Sequence, residues 1–249
     1  MNFSDMGMFA DLKEQRNLPE KLAKIHVEQG VFRGLDLSRP TCTFAPQHYE
    51  RGYAYPLVLW LHTPGMNETQ LWRVMPMVSL RNYVAVAIRG SQTVLPNGCV
   101  PAGYHWSAES YDSVCSSVFE AVEAARKRYH IAHDRVYLAG SQAGGTMALR
   151  IAFRNPTYFA GAASLDGAIP EDTTLLEYLM ELKRVRFLFA VSRNSQTCPV
   201  DRLCEHLGLL HAAGLAVTLK NYPTAGALQT DMLRDLDRWM MGHIETAMM

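Results

Sequence analysis

Apolar and polar positions follow two rhythms along this chain. Short continuous apolar runs recur between longer stretches in which apolar residues return every third or fourth position. The runs at 55–61 (YPLVLWL) and 83–88 (YVAVAI) predict strands buried on both faces, with a short helix over 70–79 between them. A helix follows at 113–130, where Val114, Val118, Val122 and Ala125 share one side. The spacing then predicts a strand at 135–139 (RVYLA), a small-residue helix at 144–154, a strand at 159–165 and a helix at 175–182. A strand at 186–191 (RFLFAV), a helix at 200–213 and a strand at 216–221 come next. The last helix starts near Gln229, buries Met232, Leu233, Leu236, Trp239 and Met240, and shows Arg234, Asp235 and Arg238 to water. Strands alternating with helices in this way predict an α/β fold with a mostly parallel central sheet and helices on both faces. Segments 25–32 and 42–44 read as antiparallel N-terminal edge strands. Residues 1–24 read as a polar arm before one domain of residues 25–249.

Composition narrows the function classes. With 249 residues, 48% of them hydrophobic, the chain can bury a large core alone. Its 24 basic and 24 acidic residues cancel, which argues against a nucleic-acid surface. Five cysteines without a CxxC pair suggest reduced thiols and a cytoplasmic setting. No apolar run is long enough to predict a membrane span. No phosphate-cradling or dinucleotide motif occurs, and Cys204 with His211 is not a recognised ligand spacing, so no cofactor and no metal are expected.

Parallel sheets of this kind place their sites at the carboxyl ends of the strands. There the RVYLA strand runs into Gly140-Ser141-Gln142-Ala143-Gly144-Gly145 and then a helix. Strand, Gly-x-nucleophile-x-Gly, helix is the pattern of a nucleophile elbow, whose flanking glycines let strand and helix pass closely. Four blocks extend the match: YPLVLWLHTPG (55–65), RVYLAGSQAGGTMALRIAFRNPTYFAG (135–161), RFLFAVSRNSQTCPV (186–200) and VTLKNYPTAGALQTDMLRDLDRW (217–239). On these residues the chain resembles the phospholipase/carboxylesterase branch of the α/β-hydrolases, and is similar also to dienelactone hydrolases. The resemblance implies an α/β-hydrolase fold. It also implies where a triad would stand: the nucleophile at Gln142, the acid at Ser195 and the histidine at Ala227. The oxyanion-loop positions it implies are Thr63, Pro64 and Ala143.

Gln142, Ser195, Ala227 and Pro64 do not hold what hydrolysis needs. A glutamine amide is not a nucleophile at neutral pH. Without a histidine no group near pKa 7 shuttles the proton, and without a carboxylate nothing would orient one. Proline brings no N–H to an oxyanion, and one such donor alone is worth on the order of 10²–10³ in rate. The expected protein is therefore a non-catalytic homologue, a pseudo-esterase with a degenerate triad, acting by binding or assembly. Its pocket would be lined by Gln142, Thr63, Pro64, Asp166 and the 192–198 loop, with His62 packed beneath. One alternative is a weak carboxylesterase or thioesterase using Ser141. Another is an interaction protein using an exposed C-terminal face that carries Met240, Met241, Met248 and Met249. The partner is an unidentified small ligand or protein, with a homodimer left open.

Overall fold

The structure is a computed structural model that describes residues 29–30, 37–92, 103–170, 177–193, 195, 197–223 and 228–247. Its strands are β1 (Gln29–Gly30), β2 (Thr41–Phe44), β3 (Tyr55–Leu61), β4 (Val84–Ile88), β5 (Ile131–Ser141), β6 (Gly161–Leu165), β7 (Arg186–Ser192) and β8 (Ala216–Tyr222). Its α-helices are α1 (Leu71–Val78), α2 (Tyr111–Arg128), α3 (Ala143–Arg154), α4 (Leu179–Leu182), α5 (Val200–Ala212) and α6 (Thr230–Ala247). The strands form one sheet in the order β1-β2-β4-β3-β5-β6-β7-β8. β1 and β2 run antiparallel, β2 runs antiparallel to β4, and every later pairing is parallel.

Two cores follow from this layering. On one face α2, α3, α4 and α5 cover the sheet through residues such as Val118, Ile151, Leu182 and Leu207. On the other, α1 and α6 pack together over Val58, Trp60, Ala85 and Leu188. Central strands buried from both sides explain why 55–61 and 84–88 are apolar without alternation. β5 begins four residues before the stretch RVYLA, at Ile131. Its register against β3 shifts between Tyr55 and Leu57. Pro56 lies at that shift, where its missing N–H would otherwise leave a gap in the ladder. Because the shift lets His133 and Asp134 turn outward, the apolar pattern hides the first part of the strand.

The C-terminal face needs a correction. Met240 is fully buried on the inner side of α6, and Met241 is half-buried against the same core. The i, i+3, i+4 stripe of α6 carries Met240 inward with Met232, Leu233 and Leu236, so it contributes nothing to an exposed surface. Met248 and Met249 lie outside the described residues.

Candidate functional site

The elbow is fully built. Gln142 stands between the last residue of β5 and the first of α3 with φ 53° and ψ −123°, a backbone state that L side chains rarely adopt. Its N–H donates to the Leu165 carbonyl at 2.7 Å, and its carbonyl accepts from Thr146 N–H at 3.0 Å. Glycines make the crossing possible. A Cβ on Gly140 would sit 2.5 Å from the Gly144 carbonyl carbon, and one on Gly144 would sit 2.4 Å from the Leu61 carbonyl oxygen. The strain at Gln142 costs roughly 1–3 kcal/mol, while glycine in its place adds about 0.5–1 kcal/mol of unfolded-state entropy. A Gln142→Gly variant is therefore expected to be more stable by about 1 kcal/mol, a Tm rise of roughly 2–4 °C. Calorimetry showing a lower Tm would mean that contacts of the Gln142 side chain outweigh the strain.

Beside the elbow, the loop after β3 forms a tight turn. Met66 N–H donates to the Thr63 carbonyl at 3.0 Å, with Pro64 second and Gly65 third at φ 81°, the arrangement of a type II turn. Each amide of this turn has a partner. Thr63 N–H donates to Gln70 Oε1 at 3.0 Å, Gly65 N–H to the Tyr104 carbonyl at 2.9 Å, and Pro64 has none to give. Gln70, itself buried, accepts also from Trp60 Nε1 at 3.0 Å and donates to Thr63 Oγ1 at 2.9 Å. Tyr104 N–H returns a bond to the Met66 carbonyl at 3.1 Å, so a strap at 103–106 is laddered onto the turn. Arg89 locks the strap: it pairs with buried Glu68 and lies over the Tyr104 ring at 4.8 Å.

His62 lies under this turn with no exposed surface. Its Nε2 accepts from Gly90 N–H at 2.9 Å, which leaves Nδ1 to donate to the Thr63 carbonyl at 2.9 Å. Burial lowers its pKa to about 4, against a smaller opposing effect of that carbonyl. The imidazole is thus neutral, with both nitrogens engaged in the scaffold.

At the ends of β6 and β7 the structure gathers a second polar group. Asp166, buried and at φ 57°, accepts from Ser192 N–H at 2.6 Å and from Ser192 Oγ at 2.7 Å. Gln229 Nε2 reaches the same Ser192 hydroxyl at 3.3 Å. Thr197 Oγ1 donates to the Asp166 carbonyl at 2.6 Å and shares a 3.1 Å hydrogen bond with Ser195 Oγ, which also accepts from Cys198 N–H. Burial and then the Asp166 charge push the Cys198 thiol up to about 11, so it stays protonated near neutrality. Ser195 and Asp166 therefore belong to one hydrogen-bonded group that joins the loops after β6 and β7.

The residues singled out in the sequence thus fall at one end of the sheet. Thr63 and Pro64 stand at the end of β3, and half-buried Gln142 and Ala143 at the elbow, with Asp166 and Ser195 beyond β6 and β7. Close approaches link them, because α3 starts against the carbonyls of Leu61 and His62, and Gly167 abuts the Gln142 carbonyl. Ser141 is the last residue of β5, paired with Leu165 and 2% exposed. Ala227 lies outside the described residues. Sequence reasoning missed Gln70, Gln229 and the 103–106 strap, whose roles depend on partners elsewhere in the chain, while Ser192 falls at the start of the expected 192–198 loop. Among the described residues no three His, Cys, Asp or Glu side chains converge in a way that could hold a metal ion. No described helix is long and apolar enough to cross a membrane.

Solved structures share this architecture. A Bacillus cereus carboxylesterase superposes with a TM-score of 0.62 at 18% identity, covering 89% of this chain and 96% of its own. A Mesorhizobium loti carboxylesterase gives 0.64 at 18% identity, with 83% and 96% covered. An S-formylglutathione hydrolase from Staphylococcus aureus gives 0.60 at 11% identity, with 88% and 98% covered. No family model matches the sequence, and no curated protein matches it. The chain has the α/β-hydrolase fold that these structures share. Its structural neighbours are esterase-type hydrolases.

Proposed function

We propose that this protein is a non-catalytic relative of the esterase-type hydrolases that keeps the site at the carboxyl ends of its strands for binding. The observation that carries this reading is the Thr63–Met66 turn, whose every N–H is already committed within the protein. An oxyanion donor must be aimed at the place where negative charge develops, and a spent or missing N–H gives no such stabilisation. Gln142 in the elbow supports the same reading, since its amide can donate and accept hydrogen bonds but cannot attack an ester. Half-buried Gln142 is the residue there that suits a small polar ligand, while Asp166 and Ser195 are committed to holding the neighbouring loops. Fold alone does not decide activity, because function lives in the site.

Against Ser141 as a surviving nucleophile stands its burial at the end of β5, one residue before the turn that would present it. The test is hydrolysis of p-nitrophenyl acetate and butyrate by the protein and by a Ser141→Ala variant. Both are expected at buffer background. A fast wild type that Ser141→Ala silences would defeat the non-catalytic reading. In parallel, a ligand-dependent rise in Tm across a panel of small polar acids and amides is expected, because binding to the folded state alone stabilises it. A flat panel removes the support for ligand binding.

A further inference from the structure

At the end of the sheet opposite β1, β8 runs for seven residues, and most of it is half-buried or exposed. Tyr222 carbonyl accepts from Arg193 N–H across the β7 ladder at 2.8 Å. Backbone groups in a strand alternate sides, so Ala216, Thr218, Lys220 and Tyr222 bond inward to β7. Val217, Leu219 and Asn221 then direct their N–H and C=O groups away from the sheet.

We propose that this edge joins two copies of the chain, with β8 of one pairing antiparallel to β8 of the other about a two-fold axis at Leu219. This surface is separate from the strand-end site and does not depend on the reading given for it.

Three observations favour a second copy as the occupant. First, the edge carries neither proline nor a bulge, two of the usual devices that blunt one. Residues 216–222 contain no proline, and their register with β7 is unbroken. Lys220 is the one charge, and its ammonium leans toward Asp235 of α6 at 4.0 Å, over the sheet face and away from the edge.

Second, the strand is self-complementary. Centred on Leu219, the two-fold sets Leu219 against Leu219, Val217 against Asn221 and Thr218 against Lys220. No charge meets a like charge, and the outward amides and carbonyls of Val217, Leu219 and Asn221 supply about six backbone hydrogen bonds.

Third, apolar surface flanks the pairing line. Leu219 is 40% exposed, on the same face as Val217, which packs toward the α5 side of the core. In the pair the two Leu219 side chains cover one another. An interface built on one strand per copy is of the smaller kind, so micromolar affinity is expected.

Sedimentation velocity on the full chain tests this. The mass should pass from 27.9 kDa toward twice that value as concentration rises from about 1 to about 100 μM, the span over which a micromolar dimer fills. Leu219→Pro removes an outward N–H and no β7 bond, and should leave a folded monomer. Leu219→Lys sets two ammonium groups against each other and should raise the dissociation constant at least about 100-fold. Leu219→Glu should do the same, while an equimolar mixture of the Lys and Glu variants should regain the dimer mass. That regain separates lost pairing from lost folding.

A wild type that stays monomeric at about 100 μM overturns the proposal. So does a dimer that survives both Leu219→Pro and Leu219→Lys. A Lys and Glu mixture that stays monomeric overturns the register centred on Leu219.

Discussion

Gly144→Ala is expected to cost about 3 kcal/mol or more and to lower Tm by roughly 6–12 °C. The added Cβ would stand 2.4 Å from the Leu61 carbonyl oxygen and 2.6 Å from that of His62. Both are backbone atoms of the central strand β3 and its exit, and neither can rotate away as a side-chain tip would. Relief requires α3 to lift from β3, which pulls on the elbow at Gln142 and opens the core around Met147 and Ile151. Gly208→Ala supplies the contrast. It lies on the outer side of α5 with nothing inside 4 Å of the added atom, so helix propensity alone should make it slightly stabilising, by about 1 kcal/mol. Urea denaturation of the two variants separates a packing requirement from a general effect of glycine removal. If Gly144→Ala unfolds at the wild-type midpoint, the tight elbow crossing described for this chain is wrong.

The fold was legible because its determinants are local. Apolar runs such as 55–61 and 186–191 announce buried parallel strands, and the helical stripe of α6 shows its inner residues outright. One departure from the expected pattern traces to a backbone feature. Pro56 stands where the β3–β5 register shifts and the beginning of β5 is hidden, while of the helix expected over 175–182 the described part is turn at 177–178 and helix from Leu179. The candidate site was half legible. A glycine-flanked elbow is written in consecutive residues, and so is the placement of Gln142 in it.

What holds the neighbouring turn is not local. Gln70 clamps Thr63 across seven residues, Tyr104 closes on Gly65, and Asp166 finds Ser192 at the end of another strand. Such pairings are chosen by strand order, and a glutamine or serine in a sequence gives no sign of which distant group it will meet. Gly103 shows the same limit. Its φ of 81° and its close approach to Gly65 are what let the strap lie on the turn, yet nothing around it in sequence predicts a partner.

His62 should make stability fall as pH drops from 6.5 to about 4. The unfolded imidazole has its ordinary pKa near 6.5, while the folded one, desolvated beneath the Thr63–Met66 turn, has a pKa of about 4. Between those values the unfolded chain binds the extra proton and the folded chain does not, so unfolding is favoured as pH falls. Above 6.5 the contribution is complete, and below about 4 both states are protonated and the slope disappears. The interval corresponds to up to about 3 kcal/mol. Guanidinium denaturation at a series of pH values would show it, with His62→Gln removing that part of the slope. Because the variant also alters two buried hydrogen bonds, nitrogen-15 NMR of the wild-type imidazoles gives the independent reading. One histidine should be neutral at pH 7 with its proton on Nδ1, since Nε2 accepts from Gly90. A midpoint near 6.5 for every histidine would show instead that water reaches His62, and the sealed turn would then have to be redrawn as an open one. That outcome would also reopen hydrolysis, because a solvated imidazole beside the elbow is the group whose absence the binding reading assumes.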